Sequence, residues 1–218
     1  MTHSISWQDA SDGGRVALSS SEVPMQITLN HVSYSYPGST QTVLDDASAV
    51  FPVGWTGIIG NNGCGKSTLA RIATGLLAPD SGAVSPRGVV AAYCEQDAAI
   101  PPGWLEDFAC SWEQGAVRLR ADLGIDDDWL WRYGTLSSGQ QKRIQVAVAL
   151  WEEPDVLVMD EPTNHLDIGS VEALERVLVA YPGALLLVSH DERLLEKTTD
   201  IRWRVESEDG SSFILRTA

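Results

Sequence analysis

Basic residues are scarce in this chain: 15 Lys and Arg stand against 30 Asp and Glu, a formal net charge of −15. Nucleic-acid affinity rests on neutralising phosphates, so this balance is a poor electrostatic footprint for DNA or RNA, though it does not forbid an RNA partner contacted through a local patch. Cysteine is scarce too. The three present, Cys64, Cys94 and Cys110, show no metal-type pairing, and an odd count argues against a disulfide framework, which makes a reducing cytoplasm the expected compartment. No run approaches the ~20 uninterrupted apolar residues that span a bilayer. Met1 to Val23 has neither the basic start nor the apolar centre of a signal peptide. Its few apolar side chains cannot offset the entropy of ordering it, so residues 1–23 are expected to form a flexible leader to one domain over 24–218. The expectation is a soluble chain without direct membrane insertion, any membrane association coming through another protein. Internal repeats and long low-complexity segments are absent as well.

Glycine, in contrast, is concentrated where it has chemical meaning. Gly60-Asn61-Asn62-Gly63-Cys64-Gly65-Lys66-Ser67 fits G-x-x-x-x-G-K-[ST], a turn whose backbone N–H groups converge on phosphate oxygens at the positive end of a helix. Gly60, Gly63 and Gly65 supply backbone freedom and close approach, Lys66 a mobile charge for the β- and γ-phosphates, and Ser67 a hydroxyl for Mg²⁺. The setting matches: Trp55 to Ile59 reads as a buried strand, and Lys66 to Leu77 as a helix with Leu69, Ile72, Ala73 and Leu76 on its apolar face. Cys64 is read as a small side chain filling the turn, the alternative being a thiol activated by the helix N-terminus.

Coarse patterning orders the rest. Met25 to Tyr34 alternates as a strand, Ala47 to Phe51 is another, and Gly82–Val84 and Val89–Tyr93 add two more to a mainly antiparallel front section. After Gln96, Pro101-Pro102-Gly103 breaks the chain and Trp104 to Leu123 carries two short helical patterns. Four of the eight tryptophans, Trp104, Trp112, Trp129 and Trp131, fall here. They are read as packing within a small helical subdomain over about 97–153, the alternative being a partner-facing surface. Ile144, Ala147, Val148 and Trp151 repeat at helical spacing, so 138–151 is predicted to be an amphipathic helix, with Lys142 and Arg143 near its start. Val156 to Met159 and Ala184 to Val188 are continuous apolar runs, as in parallel strands covered on both faces, joined by a helix around Val171 to Val179.

Each of these strands ends in polar residues, and ligands of open α/β sheets sit at the carboxyl ends of strands. Asp160 there is suited to Mg²⁺, and Glu161 to orienting or deprotonating an attacking water; mere surface charge is the plainer reading of such a pair. Ser189-His190 ends the second strand, where His190 could reach a γ-phosphate. Leu136-Ser137-Ser138-Gly139-Gln140 opens a helix. Read alone it is a cap, whereas beside the other motifs it is a second phosphate-seeking N-terminus, which suggests that two chains cooperate.

With these residues in place, the chain resembles an ATP-binding cassette (ABC) nucleotide-binding domain over nearly all of 25–205. The resemblance implies an α/β fold, a P-loop NTPase core with a parallel sheet, an antiparallel β subdomain and a small helical subdomain. It implies ATP and Mg²⁺ as cofactors and hydrolysis of ATP as the activity. By it, Gly60 to Thr68 is the Walker A loop, comprising Gly60, Asn61, Asn62, Gly63, Cys64, Gly65, Lys66, Ser67 and Thr68. Gln96 is the Q-loop residue joining Mg²⁺ and attacking water, and Leu136 to Gln140 is the signature, with Ser137, Gly139 and Gln140 toward the ATP of a partner. Asp160 belongs to Walker B, Glu161 is the catalytic glutamate, Asp167 lies in the D-loop, His190 is the switch histidine, and Tyr36 stacks on adenine. A head-to-tail dimer, homodimer or cassette heterodimer, is implied. Glu161-Pro162-Thr163-Asn164-His165-Leu166-Asp167 and Ser189-His190-Asp191-Glu192-Arg193 are similar to ABC-F proteins, soluble ATPases that typically act on ribosomes. The chain departs from the usual signature at Ser138, and these 218 residues hold one cassette, without the second cassette and long charged linker that most members of that branch carry. The rival implication is the motor subunit of a transporter, peripheral to the inner membrane, docked on a permease between Gln96 and the Trp-rich helices. A third is a nucleotide-dependent switch with negligible hydrolysis.

Overall fold

The computed structural model describes residues 26–39, 41–162, 168–190, 195–196, 198–206 and 214–217. The expected leader, Met25, the Thr163 to Asp167 segment and Asp191 to Arg193 lie outside the described residues. Along the chain run β1 (Ile27–Ser35), β2 (Thr42–Phe51), β3 (Gly54–Ile59), α1 (Lys66–Ala73), β4 (Ser81–Ser85), β5 (Ala91–Cys94), α2 (Leu105–Cys110), α3 (Gln114–Asp122) and α4 (Asp127–Trp131). There follow a 3₁₀ turn (Tyr133–Thr135), α5 (Ser138–Trp151), β6 (Val156–Asp160), α6 (Ile168–Val179), β7 (Ala184–Val188), β8 (Ile201–Glu206) and β9 (Ile214–Thr217).

Two sheets organise these elements. The smaller is antiparallel in the order β2-β1-β4, and the larger runs β5-β6-β7-β3-β8-β9. In the larger sheet β5, β6, β7, β3 and β8 are mutually parallel, and β9 closes the edge antiparallel to β8. Strand β5 therefore leaves the antiparallel group in which the sequence pattern placed it: it pairs parallel with β6, Tyr93 opposite Val158 and Cys94 opposite Met159.

The apolar runs of β6 and β7 are buried at every position because the two faces of the sheet feed two cores. Val156 and Val158, with Ala184, Leu186 and Val188, pack with α1 and the antiparallel sheet. Leu157 and Met159, with Leu185 and Leu187, pack with α5, α6 and the helical section. The alternation of β1 is interrupted rather than continuous. Ile27 and Leu29 are buried, then Val32 and Tyr34, because a bulge at His31 (φ 52°) shifts the inward parity by one residue.

Three expectations need correction. Helix α1 stops at Ala73, not Leu77: Gly75 (φ 75°) takes the left-handed conformation and donates its N–H to the Ile72 carbonyl (3.0 Å), which leaves Leu76 exposed. Helix α5 has the predicted bounds but is not amphipathic. Nine of its residues, from Gly139 to Ala149, are buried, including Gln141, Lys142 and Gln145, because the sheet lies on one side of it and the helical section on the other. Its polar groups are largely satisfied internally, Gln141 Nε2 donating to the Tyr133 carbonyl at 3.1 Å and Lys142 Nζ to the Glu95 carbonyl at 2.5 Å. Third, Trp104, Trp112 and Trp131 are 55, 76 and 65% exposed, so of the four central tryptophans only Trp129 packs into the helical core. The short helices α2, α3 and α4 bury residues led by Phe108, Ala116 and Leu130, whereas Trp104 precedes α2, Trp112 lies between α2 and α3, and Trp131 ends α4.

Candidate functional site

The parallel register brings the chemically distinctive residues to one edge. Gly60 follows the end of β3, Asp160 ends β6, and Ser189 and His190 follow β7, the strand that lies between the other two. Backbone bonds knit these ends: the Ser189 N–H donates to the Ile58 carbonyl (3.1 Å) and the Glu161 N–H to the Val188 carbonyl (2.8 Å).

The glycine loop is shaped by its neighbours as much as by any ligand. A Cβ at Gly60 would stand 2.6 Å from Cys64 Sγ and 2.7 Å from the Val205 carbonyl oxygen, and one at Gly65 2.8 Å from Val43 Cγ1. Gly65, at φ 93°, also adopts the left-handed backbone directly before α1. Cys64 is buried in the turn, and burial raises its thiol pKa, with Lys66 acting in the opposite direction. That favours the small-filler reading over an activated thiol. Lys66 is buried too, and its ammonium donates to the carbonyls of Gly60 (2.9 Å) and Asn61 (3.1 Å), spanning the loop. Ser67 is half-buried in the first turn of α1. Thr68 Oγ1 lies 2.9 Å from the Tyr36 hydroxyl, and the exposed Tyr36 ring meets Tyr34 edge-on at 5.2 Å.

Across the sheet end, Asp160 and Glu161 are only 6 and 7% exposed, which sets aside the surface-charge reading. Glu161 Oε2 accepts from Ser189 Oγ (3.2 Å) and faces His190 Nδ1 at 2.9 Å. Its backbone sits at φ 45°, a left-handed strain uncommon for a residue with a side chain and concentrated at functional sites. Asp160 Oδ2 accepts from the Tyr93 hydroxyl at 2.7 Å. Gln96 is exposed just beyond β5, beside Glu95, whose carbonyl Lys142 holds. Burial keeps the Lys142 ammonium below the ordinary lysine range, while Cys94, Asp160 and Glu95 pull the other way. Burial likewise pushes the Cys94 thiol up to about 12. At the signature segment, Ser137 and Gln140 form a capping box: Ser137 Oγ accepts from the Gln140 N–H (3.3 Å) and Gln140 Oε1 from the Ser137 N–H (2.9 Å).

A cleft of about 310 Å³ is lined by Gly60, Asn61, Asn62, His190 and Arg204. Thus the loop and His190 share one opening, and Glu161 is joined to it through His190. Arg204 and Tyr93 were missed by the sequence reading. Arg204 lies on β8, where the apolar/polar alternation from Ile201 to Glu206 is itself a strand signal, but only the pairing of Arg204 with Ile59 brings it beside the loop.

Sheet topology, glycine loop and buried acid pair define a phosphate-loop nucleotide-binding domain of α/β class. Comparison with known proteins gives the family. The family model described as "ABC transporter" matches residues 45–164. Among curated relatives, the tylosin resistance ATP-binding protein TlrC of Streptomyces fradiae is 42% identical over 65% of this chain and 27% of its own length. The energy-dependent translational throttle protein EttA of Haemophilus influenzae is 34% identical over 78% of this chain and 33% of its own. ABC transporter F family member 3 of Arabidopsis thaliana is 33% identical over 84% and 27%. A solved ATP-binding subunit of an ABC transporter superposes with a TM-score of 0.70, covering 88% of this chain and 90% of that one at 23% identity, a likeness of fold. The chain therefore belongs to the ABC family of ATP-binding, ATP-hydrolysing domains, and its relatives include members of the ABC-F branch. It spans about a quarter to a third of the length of the curated relatives it matches.

Proposed function

We propose that this chain binds Mg-ATP and hydrolyses it between two cassettes arranged head to tail, as an ABC-F-like ATPase. The observation that carries the reading is the Ser189–Glu161–His190 cluster, a buried carboxylate hydrogen-bonded at 3.2 Å and facing an imidazole at 2.9 Å beside the glycine loop. Glu161 is the general base that orients and deprotonates water, and His190 is the hydrogen-bonding partner of the γ-phosphate. The Walker A segment from Gly60 to Thr68, including Asn61, Asn62, Gly63, Cys64, Gly65, Lys66 and Ser67, holds the phosphates, and Tyr36 carries the adenine. Ser137, Gly139 and Gln140 engage the ATP of the partner cassette.

The donor set suits magnesium. Asp160 and Ser67 offer oxygen donors, and magnesium keeps several waters and takes one or two protein oxygens together with substrate phosphates. Asp160 and the Ser67 hydroxyl would hold it, with Gln96 reaching it from the Q-loop; bound there, it neutralises charge on the β- and γ-phosphates.

The ribosome is the proposed higher-level partner, supported by ABC-F relatives, one of them named as a translational throttle protein. Exposure of Trp104, Trp112 and Trp131 favours a second reading, in which the helical section docks a permease. No helix among the described residues is long and apolar enough to cross a membrane. The test is sucrose-gradient fractionation of lysate from cells expressing Glu161→Gln with ATP present. Sedimentation with ribosomes is expected; recovery with membranes would replace this reading with the permease one.

A further inference from the structure

Tyr93 belongs to no nucleotide motif, yet it is bonded to one. Its hydroxyl donates to Asp160 Oδ2 at 2.7 Å, across the parallel pair of β5 and β6. The ring is also held on its face: the Arg71 guanidinium carbon lies 5.4 Å from the ring centroid. Arg71 is itself fixed, because its Nη2 donates to both carboxylate oxygens of Glu95, at 3.0 and 2.9 Å. These contacts join three elements around the site: α1, which follows the phosphate loop; β5, which leads to Gln96; and β6, which ends in Asp160.

A carboxylate at a strand end can rotate about its last torsion, and that torsion is broad for an aspartate. With one oxygen bonded to a clamped phenol, the other is held in a defined direction, as outer partners do for metal-ligating carboxylates. We propose that Tyr93 is a positioning residue that orients the Asp160 carboxylate toward the magnesium ion of Mg-ATP. This rests on the reading of Asp160 as the magnesium-side carboxylate.

The test is calorimetric titration with a non-hydrolysable ATP analogue, once in EDTA and once in Mg²⁺, for the wild type, Tyr93→Phe and Asp160→Asn. Tyr93→Phe keeps the ring and its packing and removes only the donor. Its affinity in EDTA should match the wild type, while the gain in affinity on adding Mg²⁺ shrinks about tenfold. Equal weakening in both buffers would make Tyr93 scaffold and overturn the proposal. An unchanged magnesium gain in Tyr93→Phe, with loss of that gain in Asp160→Asn, overturns Tyr93 alone. Retention of the gain in Asp160→Asn removes the magnesium reading of Asp160, and the proposal with it.

Discussion

At the scale of single residues, the charged groups of the site have structural partners within the protein. The Lys66 ammonium bridges the carbonyls of Gly60 and Asn61, so it closes the loop it serves. Two consequences follow from one substitution. Lys66→Ala is expected to weaken ATP binding by about 2 kcal/mol or more, the worth of a charge-assisted contact, as read by calorimetry. It should also cost the nucleotide-free protein about 1–2 kcal/mol through the lost carbonyl contacts, as read by urea unfolding. Unchanged affinity would remove Lys66 from the phosphate site. Glu161 is the other residue whose setting is informative, since a strained backbone is maintained only where the surroundings over-determine it. The Val188 carbonyl, Ser189 Oγ and His190 do so here.

At the scale of elements, burial rather than hydrophobic content decides what each segment contributes. Leu157 is fully buried in β6, between the sheet and the helical section, whereas Trp131 at the end of α4 is largely exposed despite its greater apolar area. Leu157→Ala should therefore destabilise the fold by about 2–5 kcal/mol through lost transfer energy and a residual cavity. Trp131→Ala should stay within about 0.5 kcal/mol of the wild type. Chemical denaturation of both variants checks the pair, and a large loss in Trp131→Ala would return that side chain to the core.

For the whole molecule, net charge sets the terms of self-association. Two copies of −15 each repel, and that repulsion is screened over about 10 Å at 0.1 M salt. If the ATP-bound form of Glu161→Gln pairs head to tail, its dimer fraction in sedimentation velocity should rise as NaCl increases from about 20 to 150 mM, because the Debye length falls below the separation of most charges. A dimer that dissociates over that range would mean that local ion pairs, not global repulsion, govern the interface.

The sequence determined the parts whose signal is local. The glycine loop and α1 start, the cap that opens α5, the bounds of α5 and the doubly covered strands β6 and β7 all rest on contiguous residues, so spacing alone reveals them. Cys64 as a turn filler and Asp160-Glu161 as a strand-end pair were legible for the same reason. Other features depended on which strand lies beside which, and only the tertiary structure decided them. Strand β5 joined the parallel sheet because its partner is β6, some sixty residues on. Arg204 reached the cleft through pairing with Ile59, and Tyr93 reached Asp160 across the sheet. The exposure of Trp104, Trp112 and Trp131 against the burial of Lys142 likewise reverses what residue type suggests. Side-chain chemistry is written residue by residue, but burial and contact depend on the neighbours that sheet order supplies, and no local pattern in this chain encodes that order.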